Sequence, residues 1–449
     1  MIKISALDSL LELVDRDDPF AENGEEIAQL RLQAISDRFE EHREKIPVLA
    51  RRAADGGVDA IRSRADVVPL LFSHTTYKSY PETFVRQGRW DRMTTWLKTL
   101  SAVDGDEVNV EGVKDVDDWL DRLADAGHFI VASSGTTGKS SFLDNSAKDI
   151  ERIQYIPQKT FAWPRQIPHD NSRMLVSMGR TVKGRFRGYY NHIGRTKYLA
   201  KPDASYSIDE AAPLAELSRL AALRAAIGAG TATPSDVQEY EGLSRGADER
   251  LFASLGRLAE IIVERHDEPM LIMGLWPYAY QMVEVARKRG WESANAHPDT
   301  VLGLGGGTKG VALPPDYREQ VMKWFAPARQ CDQYGMSEMS GFALMCEAGF
   351  YHWPAWIELL MVDESGEKLL PNEGKVTGRV ALFDPVYEGH WGALATGDLA
   401  NVDFGRCACG RPGPTVEDNV TRYGAGSAAG DDKLTCAASV DAYIREAIN

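Results

Sequence analysis

The chain has 449 residues, 43% of them hydrophobic and 26% charged, and a formal net charge of −15. A chain of that length buries an ample core in one large domain or in two to three ordinary ones. The negative balance argues against a nucleic-acid binder, which needs a basic face to displace phosphate counterions. The opening MIKISALDSLLELVDRDDPF places acids where a signal peptide has its apolar core. The longest apolar stretch, Met270 to Ala286, is interrupted by Gly274, Pro277, Gln281 and Glu284. Neither a secretory leader nor a membrane span is expected. Five cysteines, an odd number, do not suggest a disulfide framework and point to a reducing cytoplasm.

Residues 1–125 read as mostly helical, with apolar residues at helical spacing over Glu25 to Arg43 and Val116 to Ala126. Between them, Pro69 to Phe72 is a short apolar segment that ends at the polar turn Ser73-His74-Thr75-Thr76. From about residue 128 short apolar runs alternate with helices. His128 to Ala132, Met174 to Met178, Met270 to Met273 and Val301 to Leu304 read as strands; Ala211 to Ile227 and Asp248 to Arg265 read as amphipathic helices. Pro277 suits the first turn of a further helix that stops at Gly290. This rhythm predicts an α/β core over 126–345 with a largely parallel sheet. Trp356 to Val362, the turn Glu364 to Glu367, and Gly378 to Phe383 then predict a β-meander inside a β-rich subdomain over 346–423. The segment 424–449 reads as a hinge-like linker with a short terminal helix, Val440 to Ile448.

Three motifs carry chemistry. The first strand of the core runs into Ser133-Ser134-Gly135-Thr136-Thr137-Gly138-Lys139, whose small residues let backbone N–H groups approach phosphate oxygens while hydroxyls and Lys139 add donors. Only two residues separate Gly135 from Gly138, so this is not a Walker A loop. Tyr334-Gly335-Met336-Ser337-Glu338 and Thr396-Gly397-Asp398-Leu399 follow in that order. Together they resemble the adenylate-forming superfamily of acyl-CoA ligases, peptide-synthetase adenylation domains and luciferases, and are most similar to its phenylacetate–CoA ligase branch. Ser140 stands where that branch has proline.

The resemblance implies a large adenylate-forming domain of layered sheets and helices with a small β-rich subdomain. It implies that Ser133 to Gly138 hold ATP phosphates, that Gly305, Gly306 and Gly307 contact adenine and that Tyr334 stacks on it. Ser337 then meets the α-phosphate region and Glu338 helps to hold magnesium, for which a hard carboxylate is suited. Asp398 accepts both ribose hydroxyls. Leu394 and Ala395 stand where the family often has an arginine and an aromatic residue, which puts the support of Asp398 in question. In the family a mobile C-terminal domain follows and supplies a lysine to the adenylation transition state. Here Gly430 to Lys433 resembles its hinge, and sixteen residues follow Lys433. Little or no mobile domain is therefore expected, and Lys139, Lys433 or a partner would replace that charge.

Cys346, His352, Cys407 and Cys409 form a Cys₃His set suited to a closed zinc site, with 54 residues between His352 and Cys407. The same branch has a similar arrangement of Glu-Cys or Cys-Glu, Gly-x-His and Cys-x-Cys-Gly-Arg, from which this chain departs by an extra residue in Gly349-Phe350-Tyr351-His352. The alternative is three reduced core cysteines and an unrelated histidine.

The resulting reading is ATP-dependent activation of a small carboxylic acid as acyl-AMP, then transfer to coenzyme A or to a carrier or acceptor protein. Tyr189, Tyr190, His192, Trp276 and Tyr278 are candidates to line the acyl pocket. A cysteine relay through Cys436, similar to that of acyl-protein synthetases, and a catalytically impaired nucleotide-binding scaffold are the alternatives. The sequence leaves the acid, the acceptor and the oligomeric state open.

Overall fold

The computed structural model describes residues 5–132, 139–179, 184–208, 213–306 and 311–423. The chain forms two compact units: unit 1 takes residues 1–131, 141–152 and those from 335 onward, and unit 2 takes 132–140 and 153–334. Unit 2 is thus inserted into unit 1, and this grouping runs across the four consecutive segments read from the sequence. The linker and terminal helix expected over 424–449 lie outside the described residues.

In unit 1 the expected helices run over Glu25–His42 and Val116–Asp125. The apolar segment near residue 70 is a 3₁₀ turn, Arg64–Leu70, opened by a Ser63/Asp66 capping box and leading into β1 (Phe72–Ser73). Strands β2 (Phe129–Ala132) and β3 (Phe142–Asn145) form a two-stranded sheet.

Unit 2 contributes β4 (Arg173–Met178), β5 (Ala200–Ser207), β6 (Met270–Leu275), β7 (Val301–Gly305) and β8 (Arg329–Gln330). They lie in the order β5-β4-β6-β7-β8 with every described pairing parallel. Met174, Val176, Ile272, Leu302 and Leu304 pack with Leu255, Trp276 and Met282 of the covering helices in one apolar core. Burial on both faces explains why these strands read as unbroken apolar runs. The helix expected from Asp248 begins earlier and is a single element, Pro234–Glu264, started by a Thr233/Asp236 capping box with proline in its first turn. After β8 comes β9 (Gln333–Tyr334).

The chain then returns to unit 1 with β10 (Ala343–Met345), β11 (Phe350–His352), β12 (Glu358–Val362), β13 (Lys375–Phe383), β14 (Ala393–Asp403), β15 (Thr415–Glu417) and β16 (Thr421–Arg422). The expected meander is β12-β13-β14, antiparallel throughout. What joins it to the N-terminal helices is β1, which lies parallel to β14 with Phe72 opposite Leu394.

A buried charge cluster ties the same regions. Arg31 and Arg64 both bond the carboxylate of Glu358, and Arg31 also donates to the Ala355 carbonyl at 2.7 Å. Burial alone would raise the Glu358 carboxyl, but the two guanidinium charges outweigh it and hold it below its usual range. Removing the carboxylate leaves two cations without their partner, so Glu358→Ala should cost about 3–5 kcal/mol of unfolding free energy in denaturant titrations. Because the folded pKa is depressed, this contribution is present above the unfolded carboxylate pKa and is lost as pH falls through the folded value. Glu358→Gln should therefore flatten the acid limb of the stability profile; an unchanged limb refutes the assignment. Among the described residues, no helix is long and apolar enough to cross a membrane.

Candidate metal centre and nucleotide-binding segments

The metal set lies in unit 1, where two tight turns meet. Cys346 follows β10, accepts at its carbonyl from Gly349 N–H, and its own N–H donates to Phe350 O at 2.9 Å. Gly349 has φ +83°, a conformation that favours glycine, and it turns the chain into β11, which ends at His352. On the other side Cys407 N–H donates to Arg411 O at 2.9 Å and Gly410 N–H donates to Cys407 O, with Gly410 at φ +90°. Pairing of β11 with β15, and of β15 with β14, brings the turns together across the intervening residues.

The ligand atoms of Cys346, His352, Cys407 and Cys409 all lie within 4.8 Å of one another. Cys346 Sγ is 3.9 Å from Cys407 Sγ, and Cys409 Sγ is 3.5 Å from His352 Nε2. Tetrahedral ligands at zinc–sulfur distances of about 2.3 Å stand about 3.8 Å apart, so the set fits such an ion, whereas a disulfide needs about 2.05 Å. Burial, with the Arg411 charge, lowers the His352 imidazole to about 4, which leaves it neutral and able to donate a lone pair. Burial pushes Cys407 up to about 12. Cys409 is lowered: burial opposes this, but bonds from the Arg411 backbone and side chain outweigh it. Arg411 also pairs with Asp18 at 2.8 Å and Glu347 at 3.0 Å.

Asp398 is also in unit 1, on β14. The register with β13 slips at this point, Arg379 facing Leu399 while Ala381 faces Ala395, so Thr396, Gly397 and Asp398 bulge opposite Val380 alone. A bulge re-aims the side chains it carries. Thr396 Oγ1 donates to Val380 O at 2.7 Å and accepts from Asp398 N–H at 3.1 Å. Arg379, fully buried, donates to Thr396 O at 2.8 Å and lies 4.1 Å from the centroid of the Tyr423 ring. Support for Asp398 therefore comes from Thr396, Arg379 and Tyr423. An arginine beside the apolar run Val380 to Phe383 was the available signal. The Asp398 carboxylate is buried and meets the exposed Arg422 at 3.2 Å.

Ser337 and Glu338 are half-buried, in a turn held by Ser340 N–H bonding Asp384 at 2.5 Å. Gly335 fits only as glycine, since a Cβ would meet the Phe342 ring at 2.4 Å. The buried Tyr77 phenol is pushed well up by burial and then by the Glu338 charge. Sequence reasoning gave Tyr77 no role.

In unit 2, Gly305 and Gly306 close β7, Gly306 at φ +71°, and Tyr334 ends β9 half-buried. Lys139 is half-buried. The carboxyl ends of parallel strands form the usual ligand crevice of such sheets. Ser133, Ser134, Gly135, Thr136, Thr137, Gly138, Gly307, Lys433 and Cys436 lie outside the described residues. Of the acyl-wall candidates, His192 is committed to the sheet, its ring nitrogens 3.2 Å from Ser177 Oγ and 3.4 Å from Ser205 Oγ. Trp276 is core.

The sequence matches no family model and no curated protein. Among solved structures the chain is similar to 2-hydroxyisobutyryl-CoA ligase in the postadenylation state in complex with 2-HIB-AMP, with a TM-score of 0.54 at 13% identity, over 93% of this chain and 72% of that one. An open conformation of that ligase in complex with 2-HIB-AMP and CoA gives 0.53 at 13% identity, over 88% and 69%. The chain therefore has the mixed α/β fold of adenylate-forming ligases.

Proposed function

We infer that this chain activates a carboxylic acid with ATP, forming acyl-AMP and pyrophosphate, and passes the acyl group to a thiol such as that of coenzyme A or of an acceptor protein. The observation that carries the reading is the likeness, over 93% of the chain, to a ligase structure holding an acyl-adenylate. The three motifs support it by their order and chemistry.

In this reading the substrate carboxylate attacks the α-phosphorus and pyrophosphate leaves. Asp398, pre-aimed by the β14 bulge, accepts both ribose hydroxyls in charge-assisted bonds. Displacing the exposed Arg422 from it costs little. Tyr334 offers its ring face to adenine, and Gly305 and Gly306 admit the base against the backbone. Ser337 and the loop Ser133 to Gly138, with Lys139, donate to phosphate oxygens as charge develops. Glu338 is the carboxylate suited to magnesium, which when bound would neutralise phosphate charge. Lys433 remains a candidate second cation. The Cys346, His352, Cys407 and Cys409 set would hold a structural zinc.

The test is product identity. With ATP and a panel of acids the protein should yield AMP and pyrophosphate, and should catalyse ATP–pyrophosphate exchange. ADP as product points to a phosphotransferase. ATP binding without exchange for any acid, acceptor proteins included, points to a scaffold.

A further inference from the structure

A cavity of about 420 Å³ opens within unit 1, between the start of the helix Glu25–His42, the 3₁₀ turn Arg64–Leu70 and the loop residues Trp353, Phe404 and Pro414. That size is usual for a small-molecule pocket. Leu32, Ile35, Val67, Ile357, Trp353 and Phe404 give it apolar walls, and Arg31, Arg64 and Glu358 give it a charged side.

Two guanidinium groups meet one carboxylate there. Arg31 is 7% exposed; its Nε bonds Glu358, and its Nη1 donates to Asn23 Oδ1 at 2.9 Å and to Ala355 O at 2.7 Å. Arg64 Nε bonds the other Glu358 oxygen, and its Nη2 donates to Leu359 O at 2.6 Å. Among the described residues neither Arg31 Nη2 nor Arg64 Nη1 has an acceptor, and neither is sealed from solvent. Glu25, the other acid of the lining, is exposed and accepts from Gln29 Nε2 at 3.1 Å, so water screens its charge. The buried part of the lining thus carries one positive charge in excess. The helix acts in the same sense. Gly24 caps Glu25–His42 with no side-chain bond to the N–H groups of its first turn. Gly24, Glu25 and Ala28 all line the cavity, which sets the positive end of the helix against it.

We propose that this cavity binds a small monocarboxylate, its carboxylate held by the spare N–H groups of Arg31 and Arg64 and its apolar body by the surrounding walls. A carboxylate matches a guanidinium in shape and charge. A phosphate group, at about −1.5 to −2 at pH 7, would bring in more charge than the arginine excess can offset. Phe404, whose ring centroid is 5.9 Å from the Arg64 guanidinium carbon, offers a flat apolar surface beside that grip. None of the lining residues belongs to the three nucleotide motifs or to the Cys₃His set, so the proposal stands apart from acid activation.

The test is calorimetric titration, without ATP, of hexanoate, benzoate and 2-naphthoate, each beside its amide and beside inorganic phosphate. At least one acid should bind wild type at one site per chain, about 10–100-fold tighter than its amide and tighter than phosphate. Arg64→Met should weaken that acid by about 10–100-fold. Ala28→Trp fills the hollow from a half-buried helix position, keeps both arginines and should abolish binding. Absence of acid binding, an amide that binds as tightly as its acid, or a preference for phosphate overturns the proposal. Acid binding that survives unchanged in either folded variant also overturns it, since the acid then sits elsewhere. If Arg64→Met does not fold, Ala28→Trp decides alone. Each of these outcomes leaves acid activation untouched, because that reading is judged by ATP–pyrophosphate exchange.

Discussion

Asp398→Ala should lower acid-dependent AMP formation by about 10²–10⁴-fold while the protein stays folded. Two charge-assisted hydrogen bonds to ribose hydroxyls are worth about 1.5–3 kcal/mol each, and every 1.4 kcal/mol is tenfold. The folding cost is small because the carboxylate's ion-pair partner, Arg422, is exposed. The surrounding frame of Thr396, Arg379 and Tyr423 is untouched by the substitution. Glu338→Ala should lose activity comparably, with a raised magnesium requirement. Circular dichroism and AMP release by chromatography measure both. Near-normal turnover in the two variants together would remove the nucleotide assignment.

The second large effect concerns the Cys₃His set. Purified protein should contain one zinc per chain by elemental analysis, and a strong chelator should lower its melting temperature. Structural zinc in small peptides is worth about 10–16 kcal/mol, and even a fraction of that exceeds the margin of most domains. Cys407→Ser should act in the same direction as the chelator, because it removes one of the two buried cysteine sulfurs that meet across the site at 3.9 Å. Metal-free protein whose melting is indifferent to chelator would leave three reduced cysteines packed by a histidine.

Much of this was legible because the local signals were strong. Parallel strands buried on both faces read as unbroken apolar runs, and the segments near 174, 270 and 301 match β4, β6 and β7. Cysteine and histidine chemistry named four residues that the structure gathers, although spacing gave no way to close the long gap; the β11–β15–β14 ladder does that. The start of the Pro234–Glu264 helix was legible and passed over: Thr-Pro-Ser-Asp is a capping box with proline at its first position. The roles of Arg379 and of the 72–78 stretch were not legible, since both depend on strand neighbours far apart in sequence.

The insertion of unit 2 within unit 1 has a consequence for biosynthesis. Unit 2 has all its strands once Tyr334 has been translated, so it can collapse while synthesis continues. Unit 1 cannot, because Phe72 must wait for Leu394 before β1 acquires its neighbour. Throughout that interval the run Leu70, Leu71 and Phe72, fully buried at the end, lacks its β14 neighbour on the nascent chain. This stretch is where holding chaperones would engage, and where slowed translation of the last strands would favour aggregation.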